Sequence, residues 1–299
     1  MNSLCPTGRS TIDWTDPCVR STWSALAPAA LVIAFCRWHI PTPAPFRKIT
    51  GFIKSPFESF LTLPEAEAYD ADDEKQTSSN SSGEEQKEKK APFWLTAVLV
   101  GAALLEVGAW LAVAVYLFVL DGRDEAWRGL VMAAVWLYAA LKPALVSRPT
   151  PHYDIFALYI VSFLGSILVL GGSLYTHKVL FSPLPSRFVL AAYIANTLLI
   201  SILLLVELSR PLTLPSARVK QEDIGKSLSP EDYTSLWGWI SFGWVTPLVR
   251  SGTNETLNED DVWQMSPTMG ARPVFLKFSD LKRKSLLRQL WASNSKDLL

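Results

Sequence analysis

Few residues in this chain have the types and spacing that chemistry requires. Gly225-Lys226-Ser227 has the ending of a phosphate-binding loop, where backbone amides cradle phosphate, the lysine reaches its outer oxygens and the hydroxyl holds Mg²⁺. That loop needs a glycine five positions before the Gly-Lys-Ser, and Lys220 stands there, with no apolar strand ahead of it. No Gly-Lys-Thr variant, acid-ended catalytic strand or Ser-Gly-Gly-Gln helix start occurs elsewhere. His39, His152 and His177 are too far apart to suit a metal. Serine, histidine and aspartate occur, but nothing in their spacing gathers them into a triad. The chain is therefore expected to hold no catalytic residue, no metal and no cofactor of its own.

Glu106 lies in the middle of a long apolar run. A bare carboxylate there costs about 2.5 to 3.5 kcal/mol on insertion scales, so its side chain should face protein rather than lipid. A relay or substrate contact is one reading; a protonated or hydrogen-bonded side chain joining two helices is the other, favoured because no neighbouring run offers a charged partner. Lys142 and Glu207 stand near run ends and can reach water by extending along the helix. Of the three cysteines, Cys36 lies in an apolar run. Cys5 and Cys18 either pair, in an oxidising compartment, or are unrelated thiols.

The elements carrying these residues need lipid. Of the 299 residues 49% are hydrophobic and 19% charged, and the apolar ones fall into long runs. A helix crosses a bilayer with about 17 to 25 mostly apolar residues, because its backbone groups must be satisfied within the segment. Five stretches qualify: 22–38, 93–120, 126–146, 153–174 and 188–206. Trp23, Trp38, Trp94 and Trp127 stand at their edges, where indole rings settle at the membrane interface. The fold class is thus all-α membrane, with residues 1–207 forming a five-span unit.

Lysines and arginines set the orientation. They cluster between the first two spans, from Arg37 to Lys90, and recur at Lys142, Arg148, Arg210, Arg218 and Lys220, which places those segments in the cytosol and the N-terminus outside or lumenal. The other side keeps Arg9, Arg20, Arg123, Arg128, Lys178 and Arg187. Asp13 and Asp16 ahead of the first run argue against a cleaved signal peptide. Residues 65–90 run from acidic through Ser/Asn-rich to a Glu/Lys block, cannot bury enough apolar area to fold, and are expected to be a disordered cytosolic insert. The sequons at Asn80 and Asn254 fall on the same side and are expected to stay unmodified. The net charge is zero, which offers no general attraction to nucleic acid.

After a cytosolic linker at 208–229, Ser229-Pro230-Glu231-Asp232 has the composition of a helix start, with a serine cap and proline at the first helical position. A helix is predicted from there to Leu248, where Pro247 kinks or ends it. Trp237, Trp239 and Trp244 make it suited to lie in the headgroup boundary as an interfacial elbow. A basic helix with Lys277, Lys282, Arg283, Lys284 and Arg288 is predicted over 274–291, facing the cytosol.

The stretch from Pro230-Glu231-Asp232-Tyr233 through Phe242-Gly243-Trp244-Val245-Thr246-Pro247-Leu248 to Leu257-Asn258-Glu259-Asp260-Asp261-Val262-Trp263 resembles the entry to the first transmembrane domain of C-subfamily ABC exporters, the multidrug-resistance-associated type. Members of that family commonly carry an extra five-helix N-terminal domain with an outside N-terminus, then a cytosolic linker. The resemblance implies that residues 230–299 are the elbow and entry to a first core domain, and that the remaining core spans and the nucleotide-binding domains are missing. ATP and Mg²⁺ belong to the full-length relative, on a vacuolar or plasma membrane. The implied partners are the lipid bilayer and the transporter core. The rival is a self-standing membrane adaptor that binds a transporter or channel; an intramembrane enzyme is weaker, since no paired catalytic groups lie in the spans.

Overall fold

A computed structural model describes residues 14–39, 66, 92–120, 123–147, 149–181, 186–215, 219, 221–258, 262–264, 266, 275–276 and 278–279. The expected insert at 65–90, apart from Ala66, and most of the expected basic helix lie outside these residues. The chain divides into two compact units, one holding the five long helices and ending at Arg210, the other holding the segment from Pro211 onward. Among the described residues there is no β-strand, only isolated bridges.

The first unit consists of α1 (Pro17–His39), α2 (Phe93–Leu120), α3 (Arg123–Leu145), α4 (Tyr153–Leu180) and α5 (Arg187–Ser209). All five are long and apolar enough to cross a membrane. The helix starts and stops follow local chemistry. Asp16 accepts the Cys18 amide at 2.8 Å and Pro17 opens α1, so this helix begins five residues ahead of the expected Thr22. Ser186 caps α5 by accepting the Val189 amide. The fourth span runs to Leu180 rather than Leu174, and closes when Phe181 turns into the left-handed region at φ 51° and donates to the Thr176 carbonyl.

The helices pack as a ring in the order α1, α3, α2, α5, α4 and back to α1. Contacts at the helix ends show that successive helices alternate in direction. At one end Tyr116, late in α2, meets Phe188 of α5, with ring centroids 4.9 Å apart. At the other, Thr96 of α2 bonds Ser147 after α3 at 2.9 Å, and Lys142 of α3 pairs with Asp154 of α4 at 2.9 Å. The C-termini of α1 and α5 therefore share an end, opposite the N-terminus of α1. The ring interior holds Trp136, Tyr159, Ile155, Leu158, Ile200 and Leu203, all fully buried. Lipid tails are as apolar as these side chains, so close packing rather than the hydrophobic effect has to hold such helices together.

Two glycines bring backbones into contact. A Cβ on Gly129 of α3 would stand 2.8 Å from the Ala114 Cβ and 3.0 Å from its backbone on α2; one on Gly165 of α4 would stand 3.2 Å from Ser24 of α1. Gly101 and Gly171 face open space, so not every small residue in the spans is a packing position. Gly129→Val should consequently lower stability by about 1 to 3 kcal/mol through overpacking, measured by thermal unfolding in detergent, whereas Gly171→Val should leave the transition nearly unchanged. Equal effects at the two positions would contradict the ring order.

Candidate functional site

Three polar constellations lie inside the five-helix unit. The first crosses its middle. Glu106 on α2 is 2% exposed and lies against the Trp110 indole one turn further on. The Trp110 N–H donates to the Asn196 carbonyl oxygen on α5 at 3.3 Å, and the Asn196 amide donates to Ser166 on α4 at 2.7 Å. Asn196 has no exposed surface at all. The chain of bonds joins α2, α5 and α4 where neither water nor headgroups can satisfy a polar atom. Its chemistry is that of a hydrogen-bonded seam.

The second constellation closes the end where α1 begins. Arg20 lies across Gly172 of α4, where even a methyl group would overlap the guanidinium, and donates to the carbonyls of Trp14 and Thr15 at 2.9 and 3.0 Å. Arg128, in the second turn of α3, donates to Ser21 at 2.8 Å and contacts the Cys18 sulfur at 3.0 Å. Cys18 is disulfide-bonded and Cys36 is a free thiol, while Cys5 lies outside the described residues. Sequence reasoning counted Arg20 and Arg128 only as charges flanking the spans. Nothing in the periodicity shows that both turn inward; the glycine at 172 was the available signal.

The third lies at the opposite end. Asp154 binds Lys142 and accepts from Tyr138 at 2.9 Å. Glu207 is 1% exposed and pairs with Arg210, 3% exposed, at 3.4 Å. This corrects the expectation that Glu207 reaches water. The Glu207 side of the last turn of α5 is buried, and Arg210, three residues on, supplies the countercharge a buried carboxylate requires. His152, buried just before α4, sits between Arg210 at 3.2 Å and the Val146 carbonyl at 2.9 Å. Burial is the largest influence on this imidazole and holds its pKa below the usual histidine range; the Val146 carbonyl acts the other way, and Arg210 adds to the lowering.

In the second unit the helix expected from Ser229 to Leu248 takes a different form. Ser229 accepts only the Glu231 amide, within a turn closed by Tyr233 N–H donating to Pro230 O. The working cap is Ser235, which accepts the Gly238 amide at 3.1 Å and starts α6 (Leu236–Ile240). Phe242 then adopts φ 53°, with Phe242 N–H bonded to Trp239 O and Gly243 N–H to Gly238 O. This is the bond pair that ends a helix at a left-handed residue. Pro247 does not end the helix; it lies in the first turn of the next, α7 (Thr246–Asn254), where a missing N–H costs nothing. The segment is two short helices because the left-handed Phe242 ends the first and Pro247 falls in the first turn of the second.

The three tryptophans separate accordingly. Trp237 and Trp239 are 60% and 45% exposed beside Ile240 and Phe242. Trp244 packs on Trp263, with ring centroids 6.2 Å apart, and its indole nitrogen is buried. Main-chain bonds hold the unit together: Leu212 N–H to Thr234 O, and Gln264 N–H to Ser227 O, while Trp263 donates to Gly225 O at 2.9 Å. In the Gly225-Lys226-Ser227 turn, the Gly225 amide bonds Leu228 O, and those of Lys226 and Ser227 bond Asp223 O. The amides a phosphate would use are already engaged.

No protein-family model matches the chain. It is similar to the ATP-binding cassette transporter abc2 of Schizosaccharomyces pombe, 25% identical over 182 residues, which are 56% of this chain and 12% of that protein. Five apolar helices together with this distant kinship to a transporter mark a multi-pass membrane protein.

The seam around Asn196 gives a direct test. In a double-mutant cycle of Asn196→Ala and Ser166→Ala, the two losses of stability should be non-additive by about 0.6 to 1.7 kcal/mol, the scale of interhelical hydrogen bonds in membranes. Additive losses in detergent unfolding would show that the bond at 2.7 Å carries no energy.

Proposed function

We propose that this chain is the N-terminal membrane and linker part of an ATP-driven exporter of the ABC C subfamily, acting in regulation, targeting or docking of the transporter core. The observation that carries the reading is the similarity to a fission-yeast ABC transporter over more than half of the chain. Two features support it: a five-helix unit, and a following segment whose linker folds back by hydrogen bonds onto the elbow. Transport and ATP hydrolysis belong to the full-length relative, whose nucleotide-binding domains supply the ATP and Mg²⁺ sites. Saturable binding of a nucleotide analogue to this chain, lost on Lys226→Ala, would contradict that division.

In this reading the N-terminus faces the outside or the lumen of the vacuolar or plasma membrane, and the elbow lies in the cytosolic headgroup layer. Trp237 and Trp239 are its anchors, since their rings are exposed next to Ile240 and Phe242 and such amphipathic rings prefer the interface. Trp244 shapes the elbow from within by packing on Trp263.

Two measurements check this. A spin label on Ile240→Cys, in the full chain reconstituted in anionic bilayers, should be more accessible to oxygen than to a water-soluble nickel chelate. The opposite ranking would remove the interfacial elbow. A transporter core with its nucleotide-binding domains, supplied as a separate chain, should co-purify with this one after gentle solubilisation. A defined heteromer with an unrelated channel and no association with such a core would favour the adaptor reading instead.

A further inference from the structure

We propose that His152, Arg210 and Glu207 form a proton-operated latch on the last turn of α5, the point where the chain leaves the five-helix unit for the linker. The inference stands apart from the transporter reading and rests on the geometry of the cluster.

Arginine only donates hydrogen bonds. With the Arg210 guanidinium 3.2 Å from His152 Nδ1, that nitrogen must present its lone pair, and the proton must sit on Nε2, which donates to the Val146 carbonyl at 2.9 Å. The neutral imidazole thus bridges two elements: the loop after α3 through Val146, and the end of α5 through Arg210. A second proton can be added only at Nδ1, where it would meet a donor that also carries a positive charge. Protonated His152 and the present Arg210 contact exclude each other.

Arg210 has another position to take. Its contacts to Thr150 O at 3.3 Å and to His152 hold it toward the loop, while the buried Glu207 carboxylate, which the His152 main-chain N–H also faces, lies 3.4 Å away. Taking a proton from water at Nδ1 of His152 would drive the guanidinium onto Glu207 and break its contacts with the loop. The other groups facing the site do not offer the imidazolium a vacant partner: Asp154 is held by Lys142 and Tyr138. Lys142 opposes a further positive charge, as Arg210 does, while Asp154 favours one, and burial weighs most heavily against it. Tyr159, on α4, also feels the charges of Glu207 and Arg210. The latch is closed when His152 is neutral and opens on acidification at this end of the bundle.

The sign follows from linkage. An unfolded histidine titrates near about 6.5, and the folded one lies lower, so between those values the unfolded chain binds more protons and native stability falls as pH falls.

The full chain in lipid nanodiscs, labelled with ¹⁵N-histidine, reports the state of the ring directly. Only three histidines occur, and His39→Gln and His177→Gln assign them. His152 should be the neutral Nε2–H tautomer at about pH 7.5 and should gain its proton at Nδ1 only below the usual histidine range. In the same chain a spin label on Ser209→Cys, with Cys36→Ser, should pass from an immobile to a mobile spectrum with the midpoint of that titration. His152→Gln, whose amide can still accept from Arg210 and donate to Val146, should stay immobile throughout; His152→Asn is the second neutral variant if the first does not fold. Three results would overturn the latch: an Nδ1–H tautomer at neutral pH, a His152 titration with no change at Ser209, or a mobility change that persists in the neutral variants.

Discussion

Hydrocarbon offers a polar atom no partner except another part of the protein, and the arrangement of the five helices follows from that requirement. Several of the polar groups that the apolar runs carry inward are answered by a neighbouring helix. Asn196 receives the Trp110 indole and binds Ser166 at mid-depth. Lys142 and Tyr138 of α3 converge on Asp154 of α4 at one end, and Arg128 of α3 reaches Ser21 of α1 at the other. Apolar packing alone would leave many rotations of each helix nearly equal in energy. These bonds select one, because the wrong rotation strands a charge or an amide in lipid.

The two ends of the bundle then differ in kind. Where α1 begins, Arg20 and Arg128 lie against small residues and main-chain carbonyls, and their positions are locked by shape: a side chain at Gly172 would displace Arg20. At the other end the partners are themselves ionisable, and Arg210 touches three acceptors on two elements. A locked end and a rearrangeable end suit a unit that is fixed in the membrane on one side and connected to a further segment on the other. That segment is organised by its own bonds, Leu212 to Thr234 and Gln264 to Ser227 through the main chain and Trp263 to Gly225 through the indole, and it leaves Trp237, Trp239, Ile240 and Phe242 exposed.

The existence and approximate bounds of the five spans could be read from hydropathy, since a run long enough for a bilayer has few other uses. Which helix lies beside which could not. Apolarity reports compatibility with lipid and not adjacency, so the order α1, α3, α2, α5, α4 depends on details such as Gly129 fitting Ala114. Glu106 was legible as a protein-facing residue because an isolated carboxylate in lipid is expensive. Glu207 was misread as reaching water because its countercharge, Arg210, was counted with the loop. The helix start was misplaced for a local reason: Ser229-Pro230 fits the cap pattern, yet Ser235 makes the cap, and a left-handed Phe242 cannot be foreseen where glycine is the usual choice.

Alternating crossings with the linker emerging opposite the N-terminus are the central claim. The measurement that tests it most directly is two-sided thiol labelling in sealed, oriented vesicles, on a Cys36→Ser background, of single cysteines at Ser186 before α5 and at Val146 after α3, both exposed residues at opposite ends of the ring. The account predicts that Ser186→Cys reacts only with an impermeant reagent on the outer or lumenal face, and Val146→Cys only from the cytosolic face. Labelling of both positions from the same face would contradict it.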